Sequence, residues 1–215
     1  MKNLFLILFF TASFQAFSQV TEGYFQYSIS VEALDTTLEA KQKAGMLRNS
    51  KMEIYFAKNM ARIDFTMGSM YKTKTIINQD SSKSLSIIES GMGKFATIKP
   101  LDEMDFSRPV MDSNALITYS EDTRKILGYN CQKITIEQKR SVTIYWITDE
   151  IKLDNIVANV VDPNIPGFPM YFSKIEDGVE LIFQASNLEN FVADKAKVFS
   201  IIPPADCKLM SEPIE

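Results

Sequence analysis

The chain has 215 residues, with 23 Lys and Arg against 27 Asp and Glu for a net charge of −4, and it contains no histidine. Mild acidity argues against nucleic acid or an anionic membrane surface as partner, since both select Lys/Arg clusters and no basic run is longer than the pair Lys139-Arg140. Without His, triads that rely on it and the usual zinc sites are excluded, while 46% hydrophobic residues argue against disorder.

Residues 1–18 (MKNLFLILFFTASFQAFS) read as an export signal. Lys2 forms the positive region, residues 4–10 are an unbroken apolar run, and Ala16 and Ser18 supply the small residues that a signal peptidase reads. Cleavage is expected between Ser18 and Gln19, leaving one domain over residues 19–215 that is periplasmic or secreted. The apolar run is too short to span a bilayer, and no later stretch reaches the ~18 apolar residues a span needs. The mature chain is therefore expected to lack a transmembrane segment. No Cys stands directly after the apolar run, in residues 11–22, which argues against the lipid-anchor route.

The remainder alternates as strands do. Phe25, Tyr27, Ile29 and Val31 interleave with Gln26, Ser28 and Ser30. Residues 34–48 break the pattern and predict a short helix begun near Asp35-Thr36. Met52, Ile54 and Phe56, then Ala61, Ile63, Phe65 and Met67, predict a hairpin across Lys58-Asn59. Further strands are predicted over residues 72–78, 84–89 and 94–98, with Gly91-Met92-Gly93 as a turn rather than a phosphate loop, because the P-loop spacing is missing. Residues 100–114 are an acidic, Pro-punctuated connection. Strands resume over 117–120, 132–137 and 142–148. Residues 162–169 carry three prolines and predict a loop. Residues 170–175 and 179–185 flank Asp177-Gly178, a dipeptide suited to a type I′ turn. A last short strand is predicted over 198–202.

The fold class expected is α+β: a curved, mainly antiparallel sheet packed against one or two short helices. Cys131 and Cys207 either pair, which would stabilise by roughly 4 kcal/mol, or remain buried thiols. The carboxylates of Asp102, Glu103 and Asp105, and of Asp149-Glu150, fit solvated loops better than a facing catalytic pair. Met46, Met52, Met60, Met67, Met70 and Met92 crowd one region, as irregular core filling or as an adaptable apolar groove. A cuprous-ion site from Met67 and Met70 lacks a His or nearby Cys to complete it.

Residues 126–133, ILGYNCQK, resemble the ILGYxCxK strand entry of secreted Bacteroidetes proteins grouped as domain of unknown function 4412. Tyr145-Trp146-Ile147-Thr148, Pro166-Gly167-Phe168-Pro169 and Phe199-Ser200-Ile201-Ile202-Pro203 fall in that family's order, and residues 49–56 resemble its early strand. The resemblance implies an envelope or secreted location. It also implies an architecture similar to the lipoprotein carrier LolA, an incomplete antiparallel barrel whose concave face cups helices or acyl chains. It implies no catalytic residues. Where the family's ending usually reads Gly-Tyr after the proline, this chain has Ala205-Asp206-Cys207, which makes a private disulfide more plausible.

The function expected is non-enzymatic and cofactor-free: holding a lipid, a lipoprotein acyl chain or another apolar ligand. The expected lining residues are Leu38, Met46, Met52, Ile54, Phe56, Ile63, Phe65 and Met67. The alternative is an envelope protein-interaction module with a solid core and no ligand. A His-free hydrolase with paired carboxylates is a third class, with no motif behind it.

Overall fold

The computed structural model describes residues 22–103, 115–138, 141–151, 165–176 and 178–210. The expected export signal, with its Ser18/Gln19 cleavage point, lies outside them, as does Asp105. In chain order the elements are β1 (Gly23–Ala33), α1 (Leu38–Met46), β2 (Lys51–Ala57), β3 (Met60–Met67), β4 (Tyr71–Asn78), β5 (Lys83–Ser90) and β6 (Gly93–Pro100). There follow β7 (Leu116–Ile126), β8 (Tyr129–Gln138), β9 (Ser141–Thr148), β10 (Phe168–Glu176), β11 (Val179–Glu189), α2 (Lys195–Val198) and β12 (Lys208–Leu209).

All twelve strands form one sheet in the order β12-β6-β5-β4-β3-β2-β1-β11-β10-β9-β8-β7. Two antiparallel meanders meet at β1, and only the short β12 pairs in parallel, with β6. Because β6 and β7 stand toward opposite edges, the sheet is open rather than closed into a barrel.

Tight turns set the registers. Leu127 and Gly128 both have positive φ, 50° and 89°, the signature of a type I′ turn between β7 and β8. The motif that carries the family resemblance therefore wraps a hairpin tip. Asn59 (φ 62°) closes the β2–β3 hairpin at its expected place.

The sheet bends toward one face. The rings of Phe25 on β1 and Phe168 on β10 approach to 4.4 Å between centroids, although β11 lies between the two strands. Ala185 of β11, paired with Tyr27, is small enough to leave that room. The Tyr27 hydroxyl donates to the Pro169 carbonyl at 2.8 Å, closing the same gap. Register shifts at Gln26/Tyr27 and Pro169/Tyr171 add the local twist that such curling needs. Pro169 sits at the second shift, where a missing N–H is tolerated, so β10 begins two residues before the strand expected from the sequence.

The other face of β2–β6 is covered by the chain after β11. Val192 and Phe199, with Val198, Ile201 and Cys207, pack on Ala57, Ile76, Leu85, Ile87 and Ala96. This corrects the strand expected over residues 198–202. Asp194 caps α2 by accepting from the Lys197 N–H, and the apolar residues that follow serve as a cover rather than a ladder. Pro203 and Pro204 remove two donors immediately afterwards. Helix α1 is shorter than expected: Thr37 caps it by accepting from Ala40 N–H at 3.2 Å.

Both cysteines are free thiols. Cys131 is buried in the central cluster, whereas Cys207 packs under the C-terminal cover. The pairing weighed from the sequence is not formed, because β8 and the β12–β6 edge lie toward opposite ends of the sheet.

Candidate functional site: the inner sheet face

Antiparallel register puts Tyr27, Met52, Phe65, Thr73, Ile88 and Phe95 in one cross-strand row over β1 to β6. Side chains alternate along a strand, so these six share a face with the core rings. A parallel row on the same face runs Phe25, Ile54, Ile63, Thr75, Ser86 and Thr97.

Burial falls along both rows. Phe25, Tyr27 and Ile54 are covered by neighbouring side chains of the central cluster, which includes Phe168 and Met170 of β10. Met52, Ile63, Phe65, Thr73, Thr75, Ser86, Ile88, Phe95 and Thr97 remain half-buried. The exposed half of the face thus mixes large apolar groups with hydroxyls, and neither row carries a formal charge. Charges of the same strands alternate outward: Lys51, Glu53, Arg62, Asp64, Lys72, Lys74, Glu89 and Lys94. Burial lifts the Tyr27 hydroxyl far above the ordinary tyrosine range, so it serves this face only as a neutral donor.

The eight residues expected to line a site separate into three groups. Met52, Ile63, Phe65 and Met67 lie half-buried on the inner face. Ile54 and Phe56 share it but are 1% exposed, as part of the core. Leu38 and Met46 on α1 are 72% and 51% exposed and do not join the row. Ala40 is the helix's one buried residue, so α1 rests on β1 and β11 through a small contact. Tyr27, Thr73, Ile88 and Phe95 complete the row and were not among the expected lining residues. The sequence places Thr73, Ile88 and Phe95 on predicted strands, and the pairing register shows that they share the row.

Other clusters singled out from the sequence make no site. Asp102 and Glu103 lie exposed on a single 3-10 turn. Glu150 accepts from the Asn130 backbone and side chain at 2.9 and 3.0 Å. Gly91 and Met92 form the β5–β6 turn. Among the described residues, no three His, Cys, Asp or Glu converge as metal ligands, and no helix is long and apolar enough to cross a membrane.

The family model for the domain of unknown function DUF4412 matches residues 37–157, more than half of the chain. The chain belongs to the DUF4412 family. The matched region includes α1, β2–β9 and most of the half-buried row. No curated protein matches the chain. Among solved structures, PNGF-II in a P21 crystal form is similar with a TM-score of 0.44 and 12% identity, over 88% of this chain and 31% of that one. Its C2 form gives 0.42 and 10%, over 87% and 30%. The DUF4412 chain thus spans under a third of PNGF-II. A LolA superfamily protein, NE2245 from Nitrosomonas europaea, gives a TM-score of 0.23 and 9% identity, over 84% of this chain and 90% of that one. The open antiparallel sheet with short helices is the architecture that the DUF4412 resemblance implied.

Proposed function

We propose that this DUF4412 protein is an exported, non-enzymatic binding protein that holds an acyl chain or a similar apolar ligand against the inner face of β2–β6. One observation carries this reading: the uncharged row of Met52, Phe65, Thr73, Ile88 and Phe95 stays half-buried where the core rings stop. An acyl chain laid along it covers apolar surface that the side chains of the described residues leave open. Each methylene taken from water contributes about 0.8 kcal/mol, so ten supply about 8 kcal/mol before the costs of immobilisation. Net affinity in the micromolar range or weaker follows. The signal-like residues 1–18 support delivery to the envelope or beyond.

Titration of the processed protein with the fluorescent fatty acid cis-parinaric acid tests this. Saturable enhancement that unlabelled palmitate displaces is expected, and a linear, non-displaceable signal would overturn the reading. An interaction module is the second reading, supported by the sheet edge. Among the described strands β7 pairs only with β8, and it exposes Leu116 by 59% and Tyr119 by 57%.

A further inference from the structure

On the outer face of β2–β6, a cavity of about 320 Å³ is lined by Lys51, Lys72, Lys74 and Lys94 together with the carboxylates of Glu53, Asp64 and Glu89. The strand period forces the charges there, since every second residue of these strands faces outward. All but one of the cations around it are matched. Lys51 meets Glu53 at 2.8 Å, Lys72 meets Glu89 at 3.7 Å, and Lys94 meets Asp206 at 2.9 Å. Arg62 grips Asp64 through both Nε (2.8 Å to Oδ1) and Nη2.

Lys74 is the exception. It pairs in register with Asp64 across β3–β4, but Arg62, not Lys74, is the cation bonded to both Asp64 oxygens. Among the described residues Lys74 makes no hydrogen bond or ion pair, yet it is half-buried in the cavity wall. A partly desolvated ammonium group with no partner among the described residues carries a cost that a bound anion reduces. The matched lysines retain further N–H donors, because each ammonium carries three. Several donors around one unmatched positive charge suit an anion with many acceptor oxygens better than a planar carboxylate.

We propose that Lys74 anchors a second ligand site that binds a phosphate group, free or carried on an organic molecule, on the outer face of the sheet. Desolvation of the Lys74 ammonium, with the Arg62 and Lys94 charges beside it, holds its pKa below the ordinary lysine range, against the opposing pull of Asp64. The lysines of this site point away from the apolar row, of which Thr73 alone reaches the cavity wall.

The test is a ¹H–¹⁵N titration of the full processed protein with sodium phosphate, against sodium chloride at matched ionic strength. Saturable shifts confined to β3–β6 around Lys74 are expected. They should weaken at least tenfold in Lys74→Gln and persist in Lys74→Arg, which keeps the charge. Shifts that chloride reproduces, or that survive unchanged in Lys74→Gln, would overturn the proposal. A parallel titration with dihexanoyl phosphatidic acid distinguishes the source. Tighter saturation than with inorganic phosphate supports the site with a lipid headgroup as occupant, and equal or weaker saturation supports it with free phosphate.

Discussion

Met52 and Phe65 pair directly across β2 and β3, and both stay half-buried, while Ile54, two residues further along the same strand and face, is 1% exposed. The step from closed to open takes one residue pair. The covering rings stand over the β1 side of the face: Phe168 meets Phe25 at 4.4 Å and Tyr27 at 6.4 Å, Phe172 meets Tyr27 at 6.0 Å, and Phe25 stacks on Phe56 at 5.3 Å, so burial falls from β1 outward along each row. A charge at Phe65 therefore meets water in the free protein but meets hydrocarbon when a ligand is bound. Phe65→Asp should lower cis-parinaric acid affinity tenfold or more with the far-ultraviolet circular dichroism unchanged.

The two thiols should separate by reactivity. Burial raises the Cys131 thiol above its ordinary range, and its Sγ donates to the Tyr129 carbonyl at 3.5 Å. Cys207 is only partly covered. Ellman's reagent on the native protein should titrate Cys207 promptly and Cys131 only after denaturant is added. Absence of both thiols in denaturant would instead report a disulfide.

Acid sensitivity should run partly through Glu53. Burial alone lifts its carboxyl, but hydrogen bonds from Lys51 and Tyr24 and the Lys51 and Arg62 charges outweigh this and hold it below the ordinary carboxylate value. A folded-state pKa below the unfolded one contributes stability that is present above the unfolded pKa, and it is lost as pH falls through the folded pKa. Urea unfolding should therefore show Glu53→Gln costing stability near neutral pH, with the difference from wild type shrinking between about pH 5 and pH 3.

Leu127 adopts φ 50° at a position 45% exposed, the left-handed region that a leucine side chain disfavours. Asn tolerates this region and is the preferred partner of Gly in a type I′ turn. Leu127→Asn should raise unfolding free energy by roughly 0.5–1 kcal/mol, read from denaturant midpoints at constant m-value.

Strand existence was legible where a strand alternates, as Met52-Glu53-Ile54-Tyr55-Phe56 does, whereas β5 sets Leu85 and Ile87 on the outer face and Ile88 on the inner. Parity was legible in β1, β2 and β3 for the same reason. What alternation does not carry is which part of an apolar face another strand will cover. Ile54 and Phe65 look alike in sequence, and the difference is made by Phe168 and Met170, far along the chain on β10. Leu38 and Met46 misled because α1 buries only Ala40, too little for helical spacing to reveal its inner side. Phe199 and Ile201 alternate as a strand would, yet Pro203 and Pro204 and the Asp194 cap turn that stretch into a cover. The state of Lys74 was invisible, since the sequence does not show that Arg62 is the cation bonded to Asp64.

Native mass spectrometry of the processed protein, purified from its host envelope without detergent, tests the central claim most directly. A bound mass that solvent extraction releases as a lipid, and that Phe65→Asp abolishes, is the predicted result. A bare polypeptide mass under the gentlest ionisation, for wild type and variant alike, would contradict it.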